Sequence, residues 1–182
     1  MAKRAKPDTA APEPRDVRLD IVEAMVLLEA SKGHLGWKIS ELARAAGVTR
    51  SLAYYHFGRT KREILETGIE IIAEQYFGMT ADRARMLDAG NGWDSVLQTR
   101  DAIRARPSFA SFYLRWRLQP QTPFGRQLAR IERRYQKMLR TSFPHLSEDE
   151  VVALHGILHS VVTAPFMTDA SIDVVRRLLL RL

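Results

Sequence analysis

The chain contains no cysteine. That absence removes disulfides, thiolate nucleophiles and cysteine-ligated zinc fingers from consideration. Long apolar runs are missing too: no window approaches the roughly eighteen residues a membrane span requires. The segment from Met1 to Pro7 lacks the apolar stretch of a secretory signal, so a cytoplasmic location and no membrane partner are expected. No stretch alternates with period two for long enough to make a strand. There is no glycine-rich phosphate loop and no motif-grade Ser/His/Asp set. His155 and His159 stand four apart, but without the intervening Glu of an H-E-x-x-H pattern or a further ligand. No catalytic residue, metal site or cofactor is therefore expected, and the chain does not read as an enzyme.

What is present is a chain of 182 residues, 46% apolar, with a formal net charge of +7. It can build a real core, and its basic balance suits a polyanion, because Lys and Arg near phosphates release condensed counterions. Residues 1–15 carry Pro7, Pro12 and Pro14 and, after Met1, no large apolar side chain, so a disordered tail is expected. Val17, Ile21, Met25 and Leu28 then fall on one face of a 3.6-residue period, a first helix stopped by Gly33 and Gly36. A short second helix spans Ser40 to Ala46 with Leu42, Ala43 and Ala46 inward, and Gly47 follows where a left-handed turn residue is wanted. Thr49 caps a third helix that runs to His56 and stops at Gly58.

Thr60 and Glu63 form a capping box that opens a long fourth helix, expected to run into the 80s. Beyond Gly90-Asn91-Gly92, helices are expected at 93–105, 107–119, 123–142, 147–165 and 171–181. Pro107 and Pro123 sit in first turns, Ser147 and Glu150 make a second capping box, and Ser171 is the expected cap of the last helix. The fold class is all-α, with about nine helices and no internal repeat.

Two short helices joined by a tight glycine turn suit a helix-turn-helix, in which the second helix offers its N-terminal side chains to a major groove. An ordinary helical hairpin is the plainer alternative. The third helix favours DNA, since Arg50, Ser51, Tyr54, Tyr55 and His56 occupy positions that a core-facing helix would not fill. Arg50 suits guanine edges, Thr49 and Ser51 phosphate or base, Tyr54 and His56 phosphate oxygens, and Leu52 a thymine methyl. Ala53 and Phe57 are expected to pack inward.

Residues 16–66 resemble the N-terminal domain of the TetR/AcrR family of ligand-responsive regulators. The resemblance rests on Leu42-Ala43, Ala46-Gly47-Val48-Thr49, Tyr54-Tyr55-His56-Phe57, Thr60-Lys61 and Ile64-Leu65, in that order. It implies a homodimer on a palindromic double-stranded DNA operator and a helical ligand-binding and dimerisation domain over 67–182. It also implies a phosphate contact from Lys61 at the positive end of the fourth helix. Two departures bear on docking. The loop Gly58-Arg59-Thr60 is one residue longer than the family's commonest spacing. Lys38 stands where a capping Thr is usual, leaving that cap lost or moved to Ser40; both Lys38 and Ser40 count among the expected DNA contacts.

From Arg104 to Arg140 there are ten basic residues against one acidic, Glu132. They are either solvated faces and ion pairs, or one or two of the arginines hold an anionic effector at a pocket mouth. Met86, Trp93, Phe109, Phe112, Tyr113, Trp116, His155 and His159 are the candidate ligand-binding residues. The last two helices are apolar on wide faces, from Val151 to Val162 and from Ile172 to Leu180, which suits a four-helix interface between two copies. The expectation is a dimeric repressor released by a small-molecule effector. The alternatives are a constitutive dimeric DNA-binding protein and an all-α small-molecule carrier.

Overall fold

The computed structural model describes residues 16–179; the tail at 1–15 and Leu180 lie outside them. Ten α-helices occur among the described residues: α1 Val17–Lys32, α2 Ile39–Ala45, α3 Arg50–Phe57, α4 Lys61–Ile72, α5 Ala81–Asp88, α6 Gly92–Ala105, α7 Pro107–Arg117, α8 Pro123–Ser142, α9 Glu148–Thr163 and α10 Asp169–Leu179. No strand is present among these residues.

The expected caps at Thr49, Thr60 and Ser147 act as read from the sequence, and Asp16 adds one at α1 that was not expected from it. Asp16 accepts the amides of Arg18 and Leu19, Thr49 that of Leu52 at 3.1 Å, and Thr60 that of Glu63 at 3.1 Å. Each satisfies first-turn donors that have no partner within the helix. Ser147 and Glu150 close the second capping box. Two expectations are corrected. The last helix begins at Asp169, and the hydroxyl of Thr168 accepts the amide of Ser171, which places Ser171 inside the helix and not at its cap. The long fourth helix does not reach the 80s: α4 relaxes into a π-helical turn, Ala73–Phe77, and ends at Gly78. A new helix, α5, starts after Thr80, whose hydroxyl accepts the amide of Arg83 at 3.2 Å.

One hydrophobic cluster runs from Ile21 in α1 to Ile172 in α10. α1 packs on α2, α4 and α7, and α6 packs on α5 and α9. α8 has the sharpest division of faces. Phe124, Leu128, Ile131 and Leu139 are buried, while Arg126, Arg130, Arg133, Arg134, Lys137 and Arg140 point to solvent. Fully burying a Leu, Ile or Phe contributes about 1.5–3 kcal/mol, so the apolar stripe fixes which way α8 faces.

Candidate nucleic-acid interface and ligand cleft

α2 and α3 are joined by a turn whose geometry requires glycine: Gly47 has φ +64°, and the amide of Val48 returns to the carbonyl of Ala43 at 2.9 Å. An L residue with a Cβ is strained in this left-handed region. α3 then divides cleanly. Ala53 and Phe57 are buried as expected, Leu52 and His56 are half-buried, and Arg50, Ser51, Tyr54 and Tyr55 are exposed on one face. Tyr55 is 83% exposed, with its ring edge-to-face against His56 at 5.0 Å. An aromatic side chain held out in water on a short polar helix is the feature of this face that internal packing does not explain. Thr49 gives its oxygen to the α3 cap, which leaves its O–H free to donate outward.

α2 begins one residue earlier than expected, with Lys38 at the N-cap and no side-chain cap from it. Ser40 lies within the first turn, so it does not replace the lost cap. Glu41 supplies the other half of a capping box instead, accepting the Lys38 amide at 2.8 Å and the Lys32 ammonium. Those two bonds hold the Glu41 carboxyl below its ordinary value, the Lys32 contact foremost.

The segment between α1 and α2 is organised by a residue outside the sequence expectations. Glu29 is fully buried. Its carboxyl accepts the amide of Leu35 at 2.8 Å and the indole N–H of Trp37 at 2.7 Å, and it meets His34 Nδ1 at 3.2 Å. Leu35 adopts a left-handed φ of +55°, which turns its carbonyl toward α4, where Lys61 Nζ donates to it at 2.6 Å. Lys61, the expected phosphate contact, therefore also ties α4 to the α1–α2 loop. The signal for Glu29 was present in the sequence: it falls four residues after Met25, on the apolar stripe of α1, where a carboxyl needs buried donors. His34 also lies edge-to-face against Trp116 at 5.3 Å and Phe124 at 6.1 Å, and Arg106 pairs with Glu23 at 3.3 Å. Both contacts join α1 and its loop to α7 and α8.

Residues 21–67 match the model of the bacterial regulatory proteins of the tetR family. The match spans α2, α3 and most of α1 and α4, and over that segment the chain is similar to the DNA-binding part of that family. Among solved structures, a protein from Rhodococcus sp. described as a TetR-family transcriptional regulator superposes with a TM-score of 0.54 at 18% identity, over 92% of this chain and 96% of that one. That likeness is one of fold. No curated protein sequence matches the chain. The matched segment contains the helix-turn-helix of α2 and α3.

Beyond the matched segment, the chain contains a cleft of about 540 Å³ bounded by α5, α6, α8, α9 and α10. Met79, Leu87, Trp93, Val96, Leu139 and Leu158 give it apolar walls, and Arg83, Tyr135, His145 and Arg176 are among its polar lining groups. A smaller chamber of about 30 Å³ adjoins it through shared walls at Arg83, Ser95, Val96, Tyr135 and Leu158, and is further lined by Tyr76, Phe77, Thr99, His155 and His159. Arg83 is not a free cation here: its guanidinium donates to the carbonyls of Gly78, at 2.6 Å, and Gln75, closing the end of the π turn. Burial lowers its pKa. Burial also raises the Tyr135 phenol, which stays neutral.

Of the candidate ligand residues, Trp93 lines the cleft and His155 and His159 its inner chamber. Met86 is half-buried on α5, outside that lining. Phe109, Phe112, Tyr113 and Trp116 are all in the packed core, because α7 is enclosed by α1, α4, α6 and α8. Tyr113 lies one layer behind the chamber, stacked on Phe77 at 3.7 Å and on His159 at 5.2 Å. None of the ten basic residues of the Arg104–Arg140 run lines the large cleft. Several are ion-paired instead: Arg117 with Glu132 at 2.6 Å, Arg134 with Glu74, and Arg104 with Asp169 at 3.6 Å. The lining residues Arg83, Val96, Tyr135 and Leu158 were missed. Tyr135 alone left a trace, falling four after Ile131 on the buried stripe of α8.

Proposed function

We propose that the protein is an effector-responsive regulator that binds a two-fold symmetric operator as a homodimer and is released from it when a small molecule enters the cleft. The observation that carries the reading is the exposed face of α3, where Arg50 and Ser51 of the first turn stand with Tyr54 and Tyr55 of the second. In a helix-turn-helix those positions meet base edges and phosphates. Thr49, Leu52 and His56 flank this face, and Lys38, Ser40 and Lys61 supply the backbone contacts that set register. Lys61 retains two ammonium hydrogens beyond its bond to Leu35, and it is the first residue of α4, at the helix end where an anion is favoured.

Dimerisation is assigned to α9 and α10. Val151, Val161, Val162 and Ile172 complete the core of one chain. Val152, Ile157, Val174 and Leu178 remain 39–55% exposed, and Gly156 has open space above it. A second copy covers that apolar face. The size of the cleft favours an effector over constitutive binding, since clefts of a few hundred Å³ suit drug-sized molecules. The contacts of His34 and Arg106 with the other half of the fold offer the route by which cleft occupancy biases α3. No described helix is long and apolar enough to cross a membrane, in keeping with action on DNA in the cytoplasm.

Selection of bound duplexes from a random pool tests the reading. A consensus with two inverted half-sites about one helical turn apart is expected. Recovery of sequences no different from the starting pool counts against it.

A further inference from the structure

Two imidazoles meet at the inner chamber with ring centroids 5.4 Å apart, and the Nε2 atoms of both His155 and His159 are buried without a hydrogen-bond partner. His155 is 97% buried, with 3% of its surface exposed. A buried polar atom left unpaired costs about 1–3 kcal/mol, so a pair of them on two side chains that line one chamber points to something that fills it. The side-chain amide of Gln136 lies 3.2 Å from His155 Nδ1. With that N–H donating to Nδ1, the His155 proton sits on Nε2 and is aimed onward as a donor. His159 lies beside the stacked pair Phe77 and Tyr113, its ring centroid 5.0 Å from the first and 5.2 Å from the second, and burial lowers its pKa to about 4, so it too is neutral at pH 7. Glu132, the nearest carboxylate, is already held by Tyr113 and Arg117.

Resting on the reading of the cleft as an effector site, we propose that the effector is an apolar molecule ending in an uncharged hydroxyl, seated in the chamber between His155 and His159. The chamber has room for about two water-sized groups, and the larger cleft beside it offers apolar walls for the rest of the molecule. A hydroxyl oxygen accepts the His155 Nε2–H. It also pairs with His159 in either neutral tautomer, accepting from Nε2–H or donating to a bare Nε2. A carboxylate fits poorly, because it has no hydrogen to donate and favours a charged imidazolium that this burial opposes. Arg83, the guanidinium that lines the chamber, is already committed to the carbonyls of Gly78 and Gln75, and Arg117 to Glu132.

Isothermal titration of the full chain with para-hexylphenol, hexylbenzene, para-hexylanisole and para-hexylbenzoate tests the assignment. The phenol is expected to bind at least tenfold more tightly than the hydrocarbon, the ether and the acid. His155→Phe and His159→Phe are expected to erase that preference while hexylbenzene binds as before. Equal affinity of phenol and hexylbenzene in the unaltered protein overturns the proposal whether or not the variants fold. So does a preference for the benzoate, or a phenol preference that survives in both variants. If none of the four compounds binds, the effector reading of the cleft falls together with the proposal. If hexylbenzene binds and the phenol is no better, only the hydroxyl assignment falls.

Discussion

Glu29 and the two chamber histidines show how single buried groups set the behaviour of this molecule. Glu29 satisfies three donors in the α1–α2 loop. Glu29→Ala strands the indole N–H of Trp37 and the amide of Leu35 in the core, and is expected to destabilise the fold by on the order of 3 kcal/mol in urea denaturation. The histidines act through protons. Burial lowers His155, and lowers His159 to about 4, with Glu132 opposing and Arg117 adding to the effect at both. The unfolded chain binds protons at these sites near the ordinary histidine value of about 6.5, before the folded chain does. The stability they confer is therefore complete above about pH 6.5 and is lost as pH falls toward 4. For His159 the loss is on the order of 2–3 kcal/mol. Denaturation midpoints at pH 7 and pH 4.5 are expected to differ less in His159→Phe than in the unaltered protein, and an identical difference would contradict this.

The elements around the helix-turn-helix are held by their ends more than by their length. Gly58 closes α3 with φ +101°, and a Cβ there would lie 2.8 Å from Glu63 Cβ and 2.9 Å from its carboxyl. That carboxyl accepts the amides of Arg59 and Thr60, bonds that lower its pKa. Gly58→Ala is expected to combine backbone strain with displacement of Glu63, lowering stability by about 2 kcal/mol and loosening α3 against α4. Thermal unfolding checks this. These local devices were legible in the sequence, because Gly47, Thr49, Gly58 and the Thr60/Glu63 box act within four residues of where they stand. The break at Gly78 was not. The apolar period continues through Tyr76, and the π turn depends on Arg83 reaching back to Gln75 and Gly78. The cleft was equally hidden, since Trp93, Tyr135 and Leu158 lie far apart in sequence and meet only through packing. The same physics misled the reading of α7, whose aromatics fill the core instead of the cleft.

In the proposed regulator, DNA meets one end of a continuous core, a ligand enters the cleft, and a second copy covers α9 and α10. Ile157→Glu puts a charge on the exposed apolar face beside Gly156 without touching the core. It is expected to shift the protein to monomers in sedimentation equilibrium at micromolar concentration and to weaken operator binding by more than tenfold, because one half-site alone retains few contacts. The most direct test of the central claim concerns the outward face of α3. Fluorescence anisotropy with the selected duplex is to be compared for the unaltered protein, Arg50→Ala and Tyr55→Ala. Each variant is expected to bind at least tenfold more weakly, with its melting temperature and its mass in solution unchanged. Undiminished affinity in both would contradict the assignment of α3 as the helix that reads DNA.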